Sequence, residues 1–368
     1  MESDTPPATS EHFYLPPLAR AAHAGHVKRC LLGLPDSQVD LDSGRMAVAF
    51  YCLGSLDLLK MLQDKTSQTD RDSWKEWIWE QQTRGKYGSG FRPSPFMASS
   101  MPSEGTRYTD YDTPHIIMTY TALLTLAILR DDFSRLEKQG ILLLLKACQR
   151  EDGSFSTIPG SGETDLRTLY CAFVISHLLN DWSGVDVDRA LSFIASCRSY
   201  EGGYGQSPYC EANGGTTYIA MAAIRLAPSN SNPLSISEIR KTIDWAVHKQ
   251  HRSGGFCGRT NKIADACYCF WIGASLKILG AGNLVDSRSL ASFLASCQFK
   301  FGGIAKAPGE HPDPYHTYLS LAALSMFPPP QYDNDANSST WAFESLDPLV
   351  NARGETADWA RSHIAIQG

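Results

Sequence analysis

The 368-residue chain has no excess of positive charge: 33 Lys and Arg stand against 39 Asp and Glu, a formal net charge of -6. Nucleic-acid recognition needs a basic face, so that class is set aside and any basic patch must be local. No apolar run reaches the roughly 18 residues of a membrane span, and Met1 to Glu11 is polar and proline-bearing rather than signal-like. These absences predict a soluble, cytoplasmic protein with no transmembrane segment and no nucleic-acid partner. The 10 cysteines include no CxxC pair, and Cys148, Cys171, Cys197 and Cys297 lie inside apolar helical patterns, as buried thiols in a reducing compartment do. Asp-rich acid motifs are missing, which disfavours a terpene cyclase. Carboxylates at the candidate helix starts are only scattered, which disfavours a glycosidase, whose chemistry needs a facing pair.

What is present is repetition. Apolar helical segments that end in a glycine turn recur as LLLLKACQREDGSF (Leu142 to Phe155), LSFIASCRSYEGGY (Leu191 to Tyr204), IDWAVHKQHRSGGF (Ile243 to Phe256) and ASFLASCQFKFGGI (Ala291 to Ile304), with a degenerate copy at Trp77 to Phe91. Between them runs a second set of helices in which Tyr120, Tyr170, Tyr218, Tyr268 and Tyr318 fall at nearly even spacing, with Tyr51 marking a possible first copy. Such spacing fits a two-helix repeat. The second set, exemplified by His115 to Leu129 and Ala264 to Leu279, is apolar nearly all round, as enclosed helices must be. The glycine-turn set carries Lys, Arg and Glu on one side. About six inner and six outer helices therefore predict an all-α fold, a closed α/α barrel rather than an open solenoid. Residues 1–20 read as a disordered lead-in and 21–368 as a single domain, partly irregular after about 327.

Polar residues gather at the starts of the inner helices: His115, Asp165 with Arg167, Asn213, Asp265 with Cys267, and Asp313 with His316. In a closed barrel these starts meet at one end. Asp265, Cys267 and His316 on neighbouring helices offer the ligand set of a catalytic zinc with one open place. The bland alternative has Asp265 capping a helix, Cys267 in the core and His316 in a local hydrogen bond. Arg259 and Lys262, just ahead of an inner helix, suit an anion such as a phosphate, with Tyr268 and Lys306 nearby. Otherwise they are a solvated basic loop. Tyr51, Tyr120, Tyr170, Tyr218, Trp271 and Tyr318 either line a central funnel or simply form core.

With these residues assembled, the chain resembles a protein prenyltransferase β subunit, most closely that of geranylgeranyltransferase type I. The likeness runs from about Arg29 to about Phe327. It is carried by PHIIMTYTALLTLAIL, EDGSF, DLRTLYCAF, NDWSG, CGRTNKIADACYCFWIGASLKILG and HPDPYHTYLSLAAL. The resemblance implies zinc at Asp265, Cys267 and His316, and prenyl diphosphate near Arg259, Lys262, Tyr268 and Lys306, with a weaker contact from Asn213 where the family has histidine. It also implies an isoprenoid pocket of Ala47, Tyr120, Arg167, Tyr218 and Trp271, and a peptide pocket of His115, Thr168 and Tyr315. Its partners would be an obligate α subunit, geranylgeranyl diphosphate and CaaX-ending proteins such as Rho-type small GTPases. Lys306 stands where farnesyl and Rab-type enzymes carry an aspartate associated with Mg²⁺, so Mg²⁺ is not expected to be required. Ala47 stands where the farnesyl enzyme has tryptophan, which favours the longer donor. Tyr315, by contrast, is closer to the farnesyl pattern. A farnesyl or Rab-type β subunit and a non-catalytic scaffold are the competing expectations.

Overall fold

The computed structural model describes residues 15–34, 36–95, 113–228, 234–330 and 337–366. Most of the lead-in expected at 1–20 lies outside these residues. In chain order the elements are α1 (Arg20–Leu32), α2 (Arg45–Leu58), α3 (Leu62–Lys65), α4 (Gln68–Trp79), β1 (Gln82–Gly85), β2 (Gly88–Phe91), α5 (Ile116–Ile128), α6 (Lys138–Cys148), α7 (Leu166–Leu179), α8 (Val187–Ser196), α9 (Gly214–Leu226), α10 (Ile236–Val247), β3 (Phe256–Cys257), β4 (Ala264–Asp265), α11 (Ala266–Ile278), α12 (Ser287–Ser296), α13 (Pro314–Met326), β5 (Leu346–Asp347), β6 (Ala352–Arg353) and α14 (Gly354–Ile364).

Helices α2, α5, α7, α9, α11 and α13 pack side by side, and α13 returns to α2, so the inner ring is closed. In α5 every residue but Ile117 is buried. The outer helices keep one apolar stripe: α8 buries Ala190, Leu191, Phe193 and Ile194 and leaves its other face to water. The glycine turns lock outer neighbours together. A Cβ on Gly254 would stand 1.9 Å from the Ser289 carbonyl oxygen of α12, and one on Gly302 would stand 1.9 Å from that of Ala22 in α1. Both glycines have positive φ, where side chains are disfavoured. Gly302 thus fits the last repeat against the first helix. Residues 15–19, expected in the lead-in, are anchored instead: Leu15 and Leu18 are buried, and Trp341 Nε1 donates to the Pro16 carbonyl at 3.1 Å.

Residues 337–366 close the barrel. β5 and β6 form an antiparallel hairpin whose tip, 348–351, enters the ring from the C-terminal ends of the inner helices. Four inner tyrosines hold that tip by its backbone: Tyr218 donates to the Pro348 carbonyl (2.9 Å), Tyr170 to Leu349 (3.0 Å), Tyr120 to Val350 (3.1 Å) and Tyr318 to Asn351 (2.6 Å). Below it, Arg353 donates from Nε to Asp57 of α2 at 3.0 Å, and Thr356 donates to the same carboxylate at 2.6 Å.

Candidate active site

Each inner helix after α2 opens on a polar cap, which supplies an acceptor to backbone N–H groups that would otherwise be unpaired. His115 accepts from Ile117 N–H, Asp165 from Arg167, Asn213 from Gly215, Asp265 from Cys267 and Asp313 from His316. Counting from the caps corrects the tyrosine register. Tyr120, Tyr170, Tyr218 and Tyr318 lie five residues past their caps, but Tyr268 lies three past Asp265, and Phe270 takes the fifth place. Tyr268 therefore stands higher, at the mouth, where its hydroxyl accepts from Asn213 Nδ2 at 3.1 Å. By the same count His316, three past Asp313, is equivalent to Tyr268.

The capping role of Asp265 and its meeting with Cys267 and His316 are both present. Asp265 Oδ1 accepts from Cys267 N–H at 2.9 Å and lies 3.4 Å from His316 Nε2. The carboxylate oxygen, thiol sulfur and imidazole nitrogen all lie within 4.8 Å of one another. A tetrahedral ion with bonds of about 2.0–2.3 Å needs donor–donor edges of about 3.5 Å, so small side-chain rotations complete the set. His316 Nδ1 is engaged by Asp313 Oδ2 at 2.6 Å, an arrangement that turns Nε2 inward and is common behind metal-ligating histidines. Burial opposes the imidazolium, but the hydrogen bonds to Asp265 and Asp313 outweigh it and lift the His316 pKa to about 9. Burial raises the Cys267 thiol far above its ordinary value, reinforced by the Asp265 charge. Burial also acts to raise Asp265, yet hydrogen bonds from His316 and Cys267 hold it low. The three donors thus share protons that a divalent cation would displace, so oxygen, sulfur and nitrogen here fit zinc.

Beside this trio opens a cavity of about 720 Å³. Its upper wall carries Arg259, Glu211, Asn213, Tyr268, Arg167 and Gln206, and its lower wall Ala47, Phe50, Tyr51, Tyr120, Tyr170 and Trp271. Tyr315 also lines it and receives a hydrogen bond from Trp271 Nε1 at 3.0 Å, while its ring meets that of His316 with centroids 4.9 Å apart. Of the cations, Arg259 reaches the wall but is paired with Glu211 at 2.8 Å. Arg167 is a mouth residue paired with Asp165 rather than an apolar wall. Lys262 and Lys306 are exposed; the Lys306 carbonyl accepts from Ala266 N–H at 2.9 Å, beside the trio.

Three expected pocket residues do other work among the described residues. Tyr218 is fully buried beneath the wall, holding the hairpin. Thr168 donates to the Phe155 and Asp165 carbonyls, at 2.5 and 2.8 Å, and pins the glycine turn. His115 caps α5, and burial lowers its pKa to about 4. Conversely, Gln206, Cys210 and Glu211 line the cavity from an aperiodic loop that gave no sequence signal, and Asn351 reaches it from the tail.

The prenyltransferase alpha-alpha toroid domain profile matches residues 18–352. The chain belongs to this family. Its relatives include the geranylgeranyl transferase type-1 subunit beta of Arabidopsis thaliana, 35% identical over 80% of each chain. That of Dictyostelium discoideum is 38% identical over 81% of this chain and 88% of the relative. The protein farnesyltransferase subunit beta of Schizosaccharomyces pombe is 30% identical over 88% and 81% respectively. Among solved structures, the Candida albicans protein geranylgeranyltransferase-I complexed with GGPP superposes with a TM-score of 0.81 at 25% identity, covering 95% of this prenyltransferase and all of that chain. No described helix of the prenyltransferase is long and apolar enough to cross a membrane.

Proposed function

We propose that this chain is the catalytic β subunit of a type I protein geranylgeranyltransferase. It would move the geranylgeranyl group from geranylgeranyl diphosphate to the cysteine thiol of proteins ending in Cys-a-a-X, with Leu preferred at X. The observation that carries the reading is the convergence of Asp265, Cys267 and His316 beside an apolar cavity. Residue 47 on the wall of that cavity is alanine, which leaves room for a fourth isoprene unit. The higher identity to two type-1 subunits than to a farnesyltransferase subunit points the same way.

Zinc, held by Asp265, Cys267 and His316, would supply an open coordination place at which a substrate thiol loses its proton near neutral pH. Asp313 fixes the His316 tautomer and ring orientation. The Arg259 guanidinium, released from Glu211, would grip the donor's diphosphate together with Lys262, Lys306 and the Tyr268 hydroxyl. Negative charge grows on the diphosphate oxygens as the bond to the lipid's first carbon breaks, so these donors act most strongly in the transition state. The aromatic lower wall excludes water and orients the isoprenoid. Tyr315, between His316 and the cavity, is placed to meet the acceptor peptide. Lys306 takes over the charge that Mg²⁺ would otherwise balance. The natural setting would be the cytoplasm, in a heterodimer with a prenyltransferase α subunit and with Rho-type small GTPases as acceptors.

The test is an assay of the zinc-supplemented heterodimer, with and without Mg²⁺, using farnesyl and geranylgeranyl diphosphates and peptides ending in Leu or Ser. The reading expects the geranylgeranyl donor and Leu-ending peptide to win at least tenfold without Mg²⁺. Preference for the farnesyl donor would transfer the chain to the farnesyltransferase class. No transfer and no bound zinc would make it a scaffold. Lys306→Asp should render activity Mg²⁺-responsive, and indifference to Mg²⁺ would remove Lys306 from its assigned role.

A further inference from the structure

One residue of the C-terminal hairpin, Asn351, joins the inner helices in lining the lower end of the donor cavity. Asn351 lines the cavity while being only 5% exposed, and its buried Oδ1 has no hydrogen-bond partner. Its backbone is left-handed, with φ of 57°, a conformation that asparagine and glycine tolerate far better than other residues. The main chain cannot retreat from this position. The Asn351 carbonyl accepts from Tyr318 at 2.6 Å, the three preceding carbonyls are held by Tyr120, Tyr170 and Tyr218, and two residues later Arg353 is buried against Asp57.

We infer that Asn351 is a specificity-determining residue: a polar stop at the floor of the cavity that sets how long an isoprenoid the protein accepts. This rests on the prenyl-donor reading above and adds a residue outside the barrel's inner ring. An isoprenoid tail has no hydrogen-bond donor. A chain long enough to press on Asn351 leaves the amide oxygen buried and unpaired, which is costly, whereas a chain that ends short of it leaves space for a water to bond there. The stop is therefore chemical as well as steric, and it complements Ala47, which opens the side wall.

The experiment measures binding of prenyl diphosphates with two, three, four and five isoprene units to the zinc-loaded heterodimer. In the wild type the four-unit donor should bind best; failure of every donor to bind would defeat the prenyl-donor reading itself. Asn351→Gly keeps the left-handed backbone and removes the amide, so the affinity of the five-unit donor relative to the four-unit donor should rise about tenfold, an effect of the size expected for one buried polar group. The two- and three-unit donors, too short to reach the floor, should bind Asn351→Gly as they bind the wild type and so report that it is folded. Should Asn351→Gly fail to fold, Asn351→Asp preserves shape and backbone. Its charge at the floor should weaken the four-unit donor about tenfold relative to the three-unit donor. If wild-type binding is intact and the length ratios stay within twofold of wild type in the folded variant, Asn351 is not the stop.

Discussion

At the mouth of the barrel a polar group commonly serves both the backbone and the site, whereas at the floor the polar groups serve the hairpin. Asp265 caps α11 and faces His316; Asp313 caps α13 and orients the His316 ring; Asn213 caps α9 and donates to Tyr268. The floor holds the hairpin with four phenol hydroxyls and the Asp57–Arg353 ion pair, while the rings of Tyr120 and Tyr170 also line the cavity. The difference has a physical origin. Helix N-termini present unpaired N–H groups that demand acceptors, so polar residues are already required there and can be shared with a ligand. Helix interiors make no such demand, and the floor tyrosines supply a bond only because a carbonyl-rich hairpin arrives from elsewhere.

Breaking each end in turn sharpens the contrast. The largest effect is expected from Cys267→Ala or His316→Ala, which removes one of the three side chains proposed to hold zinc. Metal analysis of the purified heterodimer should find no stoichiometric zinc and transfer should fall below detection. Zinc retained in either variant would take that residue out of the site. At the floor, Asp57→Ala removes the buried partner of Arg353, which keeps Glu344 and Glu355, and also removes the acceptor of Thr356; the change should cost about 1–3 kcal/mol. Denaturant melting should show the loss, and a change under 1 kcal/mol would mean that Glu344, Glu355 and the tyrosines suffice to hold the hairpin.

Acid tests the seam where the last glycine turn meets α1. His23 Nδ1 accepts from Gly303 N–H at 3.0 Å, and its Nε2 faces Gln298 Oε1 at 2.9 Å, so the ring is neutral in the fold. Burial, the main cause, lowers its pKa to about 4. Because the folded value lies below the unfolded 6.5, the unfolded chain binds more protons between them. The contribution of His23 is full above about pH 6.5 and is lost as the pH falls towards 4, a drop of at most about 3 kcal/mol. Stability measured against pH in wild type and His23→Gln should converge at the acid end; parallel curves would sink the assignment.

Smaller effects separate the two ends most cleanly. Asp313→Asn keeps an oxygen for the cap but weakens the hold on His316 Nδ1. Zinc affinity should fall about 10–100-fold with little loss of fold stability. Tyr318→Phe removes one floor hydrogen bond and should cost about 1 kcal/mol without changing zinc content. A variant at either end that moved both readouts equally would show that mouth and floor are not independent.

Much of this was legible in the sequence because it is local. Glycine turns, apolar inner helices and a polar residue at each helix start are statements about one turn of chain at a time, and they led to the closed ring and to Asp265, Cys267 and His316. Tyrosine spacing alone misleads at one place: it sets Tyr268 level with Tyr218, but the longer connection before Asp265 moves Tyr268 up to the mouth. The family resemblance places Tyr218 and Thr168 in pockets; the apolar pattern leaves Tyr218 open between funnel and core because burial and cavity lining share it.

By itself, the order of residues determined the repeat, the number of inner helices and the chemical character of the trio, since each follows from short-range periodicity and side-chain type. Only the tertiary structure decided that Arg259 meets Glu211, that an aperiodic loop supplies Gln206 and Cys210, and that a tail hairpin far along the chain reaches the cavity's floor. Those contacts join segments whose separation in sequence carries no period, and they exist because a closed ring of six helices has an open end that must be filled.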